Sequence, residues 1–213
     1  MKFRLAMAMA LGLLTLSGCG SVFESNLPAP QAYVLRLPPR PASTEGITGA
    51  GSLRVQRPEA GPGLNSENIA VLRSDRRFDF YAATRWAAPA PDLVESVVVD
   101  ALREGGMFSA VYDDAAPYAP QYNLRCGLRR FEADYTSGGH APTVQVALDC
   151  TFGRHRDRTL LADFTAQGSA VASDDRLGAV VAAFESATSQ AITQLEHQTA
   201  AALNAERTSA DAH

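Results

Sequence analysis

Familiar catalytic signatures are missing from this chain. It contains no GxSxG nucleophile turn, no phosphate-binding P-loop and no GxGxxG ahead of a helix, which removes the commonest hydrolase, nucleotide and dinucleotide readings. Histidine is scarce: His140, His155, His197 and His213 share no HxxxH spacing and adjoin no CxxC pair, so no metal centre is expected. Asp113-Asp114 adjoin in a loop, and Asp149 and Asp163 fall on the polar sides of strands. None of them carries an acid–base signature, and the chain is read as non-enzymatic. After Lys2 there is no lysine, and acidic residues outnumber basic ones 23 to 19. A nucleic-acid binder would show a concentrated basic face instead. Long apolar runs are absent after the first one, so no later segment is expected to span a membrane.

What is present begins at the amino end. Lys2 and Arg4 precede Leu5 to Leu16, an uncharged apolar segment of twelve residues. That is the n-region and h-region of an export signal, too short to cross a bilayer as a helix. The boundary Leu16-Ser17-Gly18-Cys19 resembles the lipobox of bacterial lipoproteins. The resemblance implies a diacylglyceryl group on the Cys19 thiol, cleavage before Cys19 and acylation of the new amine. A plain secretory signal with a chance cysteine is the other reading. A single acyl chain holds a protein marginally, whereas several anchor it stably, each buried CH₂ adding about 0.8 kcal/mol. Gly20 follows Cys19, and the likeness to enterobacterial lipoproteins implies sorting to the periplasmic face of the outer membrane. This covalent lipid is the only cofactor expected.

The organisation that follows is a leader at residues 1–18, a tether at 19–30, one domain at 31–203 and a frayed, disordered polar tail at 204–213. Lys2 and Arg4 leave with the leader, so 17 basic residues, all arginine, face 23 acidic ones in the mature chain. The tether, "GSVFESNLPAP", could reach roughly 35 Å at about 3.3 Å per residue. The domain reads as α+β: a mostly antiparallel sheet, with a mixed one as the alternative, and two helices packed on one face.

Alternation in "AYVLRLP" separates Tyr33, Leu35 and Leu37 from Val34 and Arg36, as in a strand. Further short strands are predicted at Ser52–Gln56, Asn68–Leu72 and Arg77–Ala82, and a helix over Pro91–Glu104 with Gly105 as its stop. "MFSAVY" is the strand after it. In "NLRCGLRRFEADY" the apolar phase shifts at Arg129-Arg130, which predicts a β-bulge. If the turn to "TVQVALDCTF" centres on Gly138-Gly139, Phe131 faces Val146, Leu128 faces Leu148 and Cys126 faces Cys150. Cys19 being consumed by lipid, the other two thiols form an even pair in an oxidising compartment. The register predicts a cross-strand disulfide, with two buried free thiols as the alternative. "TLLADFTAQGSAVA" puts small residues such as Ala166, Gly168 and Ala170 on one side, leaving room for a close-lying helix. That helix is predicted over Arg176–Leu203, with Ser173, Asp174 and Asp175 as N-cap candidates.

Three arginine clusters stand out: Arg73, Arg76 and Arg77; Arg125, Arg129 and Arg130; and Arg154, Arg156 and Arg158. Lipid headgroups or an acidic partner would suit them, but solvated turns interleaved with acids such as Asp75, Asp79 and Asp157 are the favoured reading.

The order of weak motifs supplies a family. Tyr33-x-Leu35, Val71-Leu72-Arg73, Phe80-Tyr81 and Arg85-Trp86-Ala87-x-Pro89, followed by the first helix and Phe108, resemble the ABC-type transport auxiliary lipoproteins. The lipoprotein of the paraquat-inducible Pqi system is one of them. That resemblance implies a sheet backed by two helices and work beside an ABC permease, its ATPase and an MCE-domain protein. Such systems move phospholipid or related lipids between the inner and outer membranes. A periplasmic lipid carrier and an assembly lipoprotein of another outer-membrane complex are the alternatives. A homo-oligomer is also compatible, because an alanine-rich helix can pack on a neighbour. Tyr81, Arg85 and Trp86 are the candidate partner interface, although for Trp86 core packing is the favoured reading and the interface the one to test.

Overall fold

The structure, a computed structural model, describes residues 29–38 and 48–211. The leader, Cys19 and the tether as far as residue 28 lie outside the described residues.

One long strand organises the sheet. β8 (Tyr122–Asp134) is flanked along one side by β9 (Thr143–Arg154), which in turn pairs with the edge strand β10 (Leu160–Val171). Both pairings are antiparallel. Along its other side β8 meets three short segments in succession: β2 (Ala50–Val55), β3 (Glu59–Ala60) and β4 (Ala70–Leu72). All three run parallel to β8. β5 (Phe78–Phe80) folds back antiparallel on β4, while β7 (Phe108–Tyr112) lies parallel to the far side of β2. The sheet is therefore mixed rather than mostly antiparallel. The physical reason is a helical crossover: helix α1 (Ala90–Glu104) lies between β2 and β7 and returns the chain to the end where β2 began. A separate two-stranded parallel ribbon joins β1 (Gln31–Tyr33) to β6 (Thr84–Trp86).

The antiparallel layer follows the sequence closely. Phe131 faces Val146, the register shifts between Leu128 and Arg130, and beyond the bulge Leu128 faces Leu148 and Cys126 faces Cys150. One face of β8 and β9 is buried from Leu124 to Phe131 and from Val144 to Phe152 in alternation, the period that half-buried strands require.

Two helices cover that face. In α1 the three consecutive valines Val97, Val98 and Val99 are all buried, so packing compensates for their weak helix propensity. Gly105 keeps a right-handed conformation, and the left-handed exit falls on Gly106 at φ 66°. The second helix, α2 (Leu177–Asp211), buries Val181, Phe184, Thr188, Ala191, Ile192 and Leu195 against the sheet. Gly168 on β10 is indispensable to that seat, since a Cβ there would stand 1.9 Å from the Ala187 carbonyl oxygen. Two glutamines of α2 also close part of the β10 edge: Gln194 Oε1 accepts from the Gln167 N–H at 3.0 Å, and Gln190 Oε1 from the Ser169 N–H at 3.3 Å.

The tail prediction needs correcting. α2 passes Leu203 and stays helical to Asp211. Glu206 holds it there, accepting from Arg154 Nε at 2.9 Å and from the Tyr122 hydroxyl at 3.1 Å. These contacts join residues 52 and 84 positions apart, which is why sequence polarity alone read the segment as frayed. Of the "AYVLRLP" segment only Ala32 and Tyr33 are in strand, yet its alternation persists, with Leu35 buried and Val34 and Arg36 exposed.

Candidate functional site

The three candidate interface residues do not form one surface. Trp86 ends β6 and is fully buried. Its backbone N–H bonds the Glu67 carbonyl at 2.6 Å, and its ring lies 5.6 Å from Phe131 and 5.1 Å from Phe184. The interface reading of Trp86 is therefore corrected: the indole is the aromatic centre of the core, joining β6 to β8 and α2. Aromatic pairs at such separations contribute beyond their buried area. Arg85 points the other way, as alternation along a strand dictates, and forms an exposed ion pair with Glu67.

Tyr81, just past β5, is half-buried. Its hydroxyl lies 2.8 Å from the Tyr135 hydroxyl, which donates onward to the Asp175 carboxylate at the approach to α2. Arg73 stands 6.0 Å from the Tyr135 ring centroid. Burial, and then the Asp175 carboxylate accepting its proton, raise the Tyr135 hydroxyl far above the ordinary phenol range. Burial likewise raises Tyr81. Both phenols stay protonated at neutral pH and act as hydrogen-bond donors that fasten the β4–β5 hairpin to α2.

Cys126 and Cys150 are joined by a disulfide, with Cα atoms 4.1 Å apart. Both are buried on the helix-facing side, so the bridge is covered by the core rather than presented to a partner.

Most arginines that sequence clustered are ion-paired. Arg129 bonds Asp149 at 2.6 Å, Arg125 lies 3.4 Å from Glu59, and Arg154 reaches both Asp157 and Glu206. The Arg129 guanidinium, followed by a bond from Thr165, lowers the Asp149 carboxyl. Asp149 is thus a structural acceptor. Asp114 donates its backbone N–H to Glu95 at 2.8 Å.

One buried carboxylate escaped the sequence reading. Glu132 accepts from Arg130 Nε at 2.6 Å and from the Phe131 N–H at 2.7 Å, directly beside the bulge. Burial is the largest influence and raises its carboxyl, against the pull of Arg130. The signal was available in "RRFEAD": Arg130, Glu132 and Asp134 alternate on one face of a strand, and Arg130 bonds Asp134 as well. The group satisfies the bulge and is not part of the surface hollows along α1 and α2.

Surface hollows are open and shallow. One of about 470 Å³ runs along α1 and is lined by Arg57, Asp92, Glu95, Asp100, Arg103 and Asp113. Another, of about 440 Å³, lies between Arg36–Pro38 and the α2 residues Glu185, Ser189 and Thr193. Among the described residues no group of three or more His, Cys, Asp or Glu side chains could hold a metal ion. No described helix is long and apolar enough to cross a membrane.

The described body is thus a mixed sheet backed by two helices, with Trp86, Tyr81, Tyr135 and Glu132 committed to contacts within it. The chain matches the family model of the ABC-type transport auxiliary lipoprotein component over residues 33–196, and it belongs to that family. It is thus a lipoprotein component of ABC-type transport. It is similar to a Xanthomonas campestris protein of known structure, at 27% identity and a TM-score of 0.71, across 84% of this chain and 99% of that one. A second solved protein, uncharacterised, shares the fold at 13% identity and a TM-score of 0.63, across 81% of this chain and 99% of that one. No curated protein matches the sequence significantly.

Proposed function

We propose that the protein is a non-enzymatic docking component of an ABC/MCE-type lipid transport system, fastened by acylated Cys19 to the periplasmic face of the outer membrane. The observation that carries this reading is the family match over residues 33–196 directly downstream of a lipobox. An anchored body with a rigid core gives a permease–ATPase pair and its MCE-domain protein a fixed point on the opposite membrane. The partner surface belongs to the exposed residues near Arg85 and along α1, because Trp86 is withdrawn into the core.

Packing supports docking over carriage of lipid. A carrier needs an apolar cavity for an acyl chain, usually several hundred Å³ with most of the ligand enclosed. Here the α2 backbone touches Gly168 and three aromatic rings fill the space beside it.

The test is isolation of the tagged full-length protein from gently solubilised membranes. The reading expects the permease, ATPase and MCE-domain protein to accompany it, and to be lost with Cys19→Ala. Recovery of the protein alone with stoichiometric phospholipid, seen by native mass spectrometry, would favour the carrier instead.

A further inference from the structure

The hairpin of β4 and β5 ends in an exposed, arginine-bearing turn, as does the β9–β10 hairpin at the other end of the sheet, where Arg158 also takes a left-handed conformation at φ 60°. The β4–β5 residues read Arg73-Ser74-Asp75-Arg76-Arg77-Phe78-Asp79-Phe80. Two of its arginines are neutralised within the hairpin, Arg73 by Asp79 at 3.3 Å and Arg77 by Asp75 at 2.6 Å. Arg76 has no ion-pair partner among the described residues, and it occupies the left-handed region at φ 64°. Glycine or asparagine would serve that turn at less cost. Phe78 is next but one to it and 43% exposed, with Phe80 edge-on at 5.5 Å. The turn therefore presents one uncompensated cation beside an exposed aromatic ring.

Topology places this turn toward the end of the domain where the described chain begins. β8 runs toward the hairpin, because β4 pairs parallel with its last residues, Ala70 with Glu132 and Leu72 with Asp134. β1 starts opposite Thr84 and runs from there along α2, where Arg36 N–H bonds Glu185 at 3.0 Å. Traced backward from Gln31, the chain thus heads for the hairpin end of the domain. Eleven residues separate Gln31 from Cys19, so the anchored membrane lies within roughly 35 Å of that point. Val171, 71% exposed, ends β10 at this same end of the sheet.

We propose that the β4–β5 hairpin contacts the bilayer that carries the Cys19 lipid, Phe78 entering its interfacial zone and Arg76 binding lipid phosphate. Phenylalanine is among the apolar side chains that interfacial elements bury at the headgroup boundary, and a cation adjoining one adds attraction to anionic headgroups. This second contact fixes how the anchored body is oriented, which attachment at Cys19 alone would not specify. A second copy is a poorer occupant, since a symmetric contact would bring the two unpaired Arg76 side chains together. The proposal rests on the lipid-anchor reading.

The experiment uses the full lipidated chain in vesicles of phosphatidylethanolamine and phosphatidylglycerol, with or without brominated acyl chains. Trp86 is the only tryptophan and is buried, so its background can be subtracted. Phe78→Trp adds a reporter at the hairpin. Tyr118→Trp adds one at the opposite end, about 40 Å away along β8, where Tyr118 is 63% exposed. The expected result is a blue shift and loss of most of the Phe78→Trp reporter emission to brominated lipid, with the Tyr118→Trp reporter unaffected. Arg76→Glu in the Phe78→Trp background should reverse much of that loss. Failure of either protein to float with vesicles would remove the anchor, and the proposal with it. Flotation without quenching at Phe78→Trp would overturn the hairpin contact alone and leave the anchor standing, including the case where an added partner protein shields the reporter. Should Phe78→Trp misfold, Phe80→Trp takes its place with the same two outcomes.

Discussion

The two halves of the domain are built by different rules. Residues 122–211 form long antiparallel strands of 12 or 13 residues, one covalent bridge and a 35-residue helix. Residues 50–80 reach the same sheet as segments of two to six residues, each borrowing its hydrogen bonds from one stretch of β8 or from a neighbouring segment. The first half is a scaffold whose strands specify one another. The second is a thread laid along it, and an exposed hairpin can project from a thread without disturbing the core. Stability and surface display are thereby separated along the chain.

Trp86 is the point where the halves meet, and its removal should break the comparison most severely. Trp86→Ala vacates a fully enclosed site against Phe131 and Phe184, at a cost of about 3–5 kcal/mol. Chemical denaturation should show that loss of stability. Unchanged stability with lost partner binding would return the residue to the interface.

The disulfide sharpens the contrast from the other side. Its loop spans a sequence separation of 24, and converting both cysteines to alanine should cost about 2–4 kcal/mol. The loss belongs to the scaffold, so α2 and β8–β10 should lose amide protection along with it, as hydrogen exchange would report. Two titratable thiols in unfolded protein exported to the periplasm would contradict the bridge itself.

The same contrast explains what sequence could and could not reveal. In the scaffold, apolar alternation over a dozen residues and a glycine turn determine register to the residue, because a slip of one would turn every buried side chain outward. Cys126 opposite Cys150 and the bulge before Arg130 followed from that. Short segments carry too few residues for such a constraint. β3 and β6, at two and three residues, have no readable period, and the parallel direction of β2, β3 and β4 comes from crossovers that alternation does not record. The candidate site divided the same way. Arg85 and Trp86 are adjacent, so strand geometry required only one of them to face outward, but which one depended on Phe131 and Phe184, 45 and 98 positions further on. Likewise, the extension of α2 to Asp211 rests on the long-range bonds of Glu206, which no local pattern foretells.

Everything proposed for this protein depends on acyl chains at Cys19 holding the scaffold against an envelope membrane. Metabolic labelling with radioactive palmitate, followed by membrane fractionation of the wild type and Cys19→Ala, tests that directly. The account predicts a labelled, membrane-bound wild type and an unlabelled variant that is released into the aqueous fraction. An unlabelled wild-type protein that washes free would contradict it.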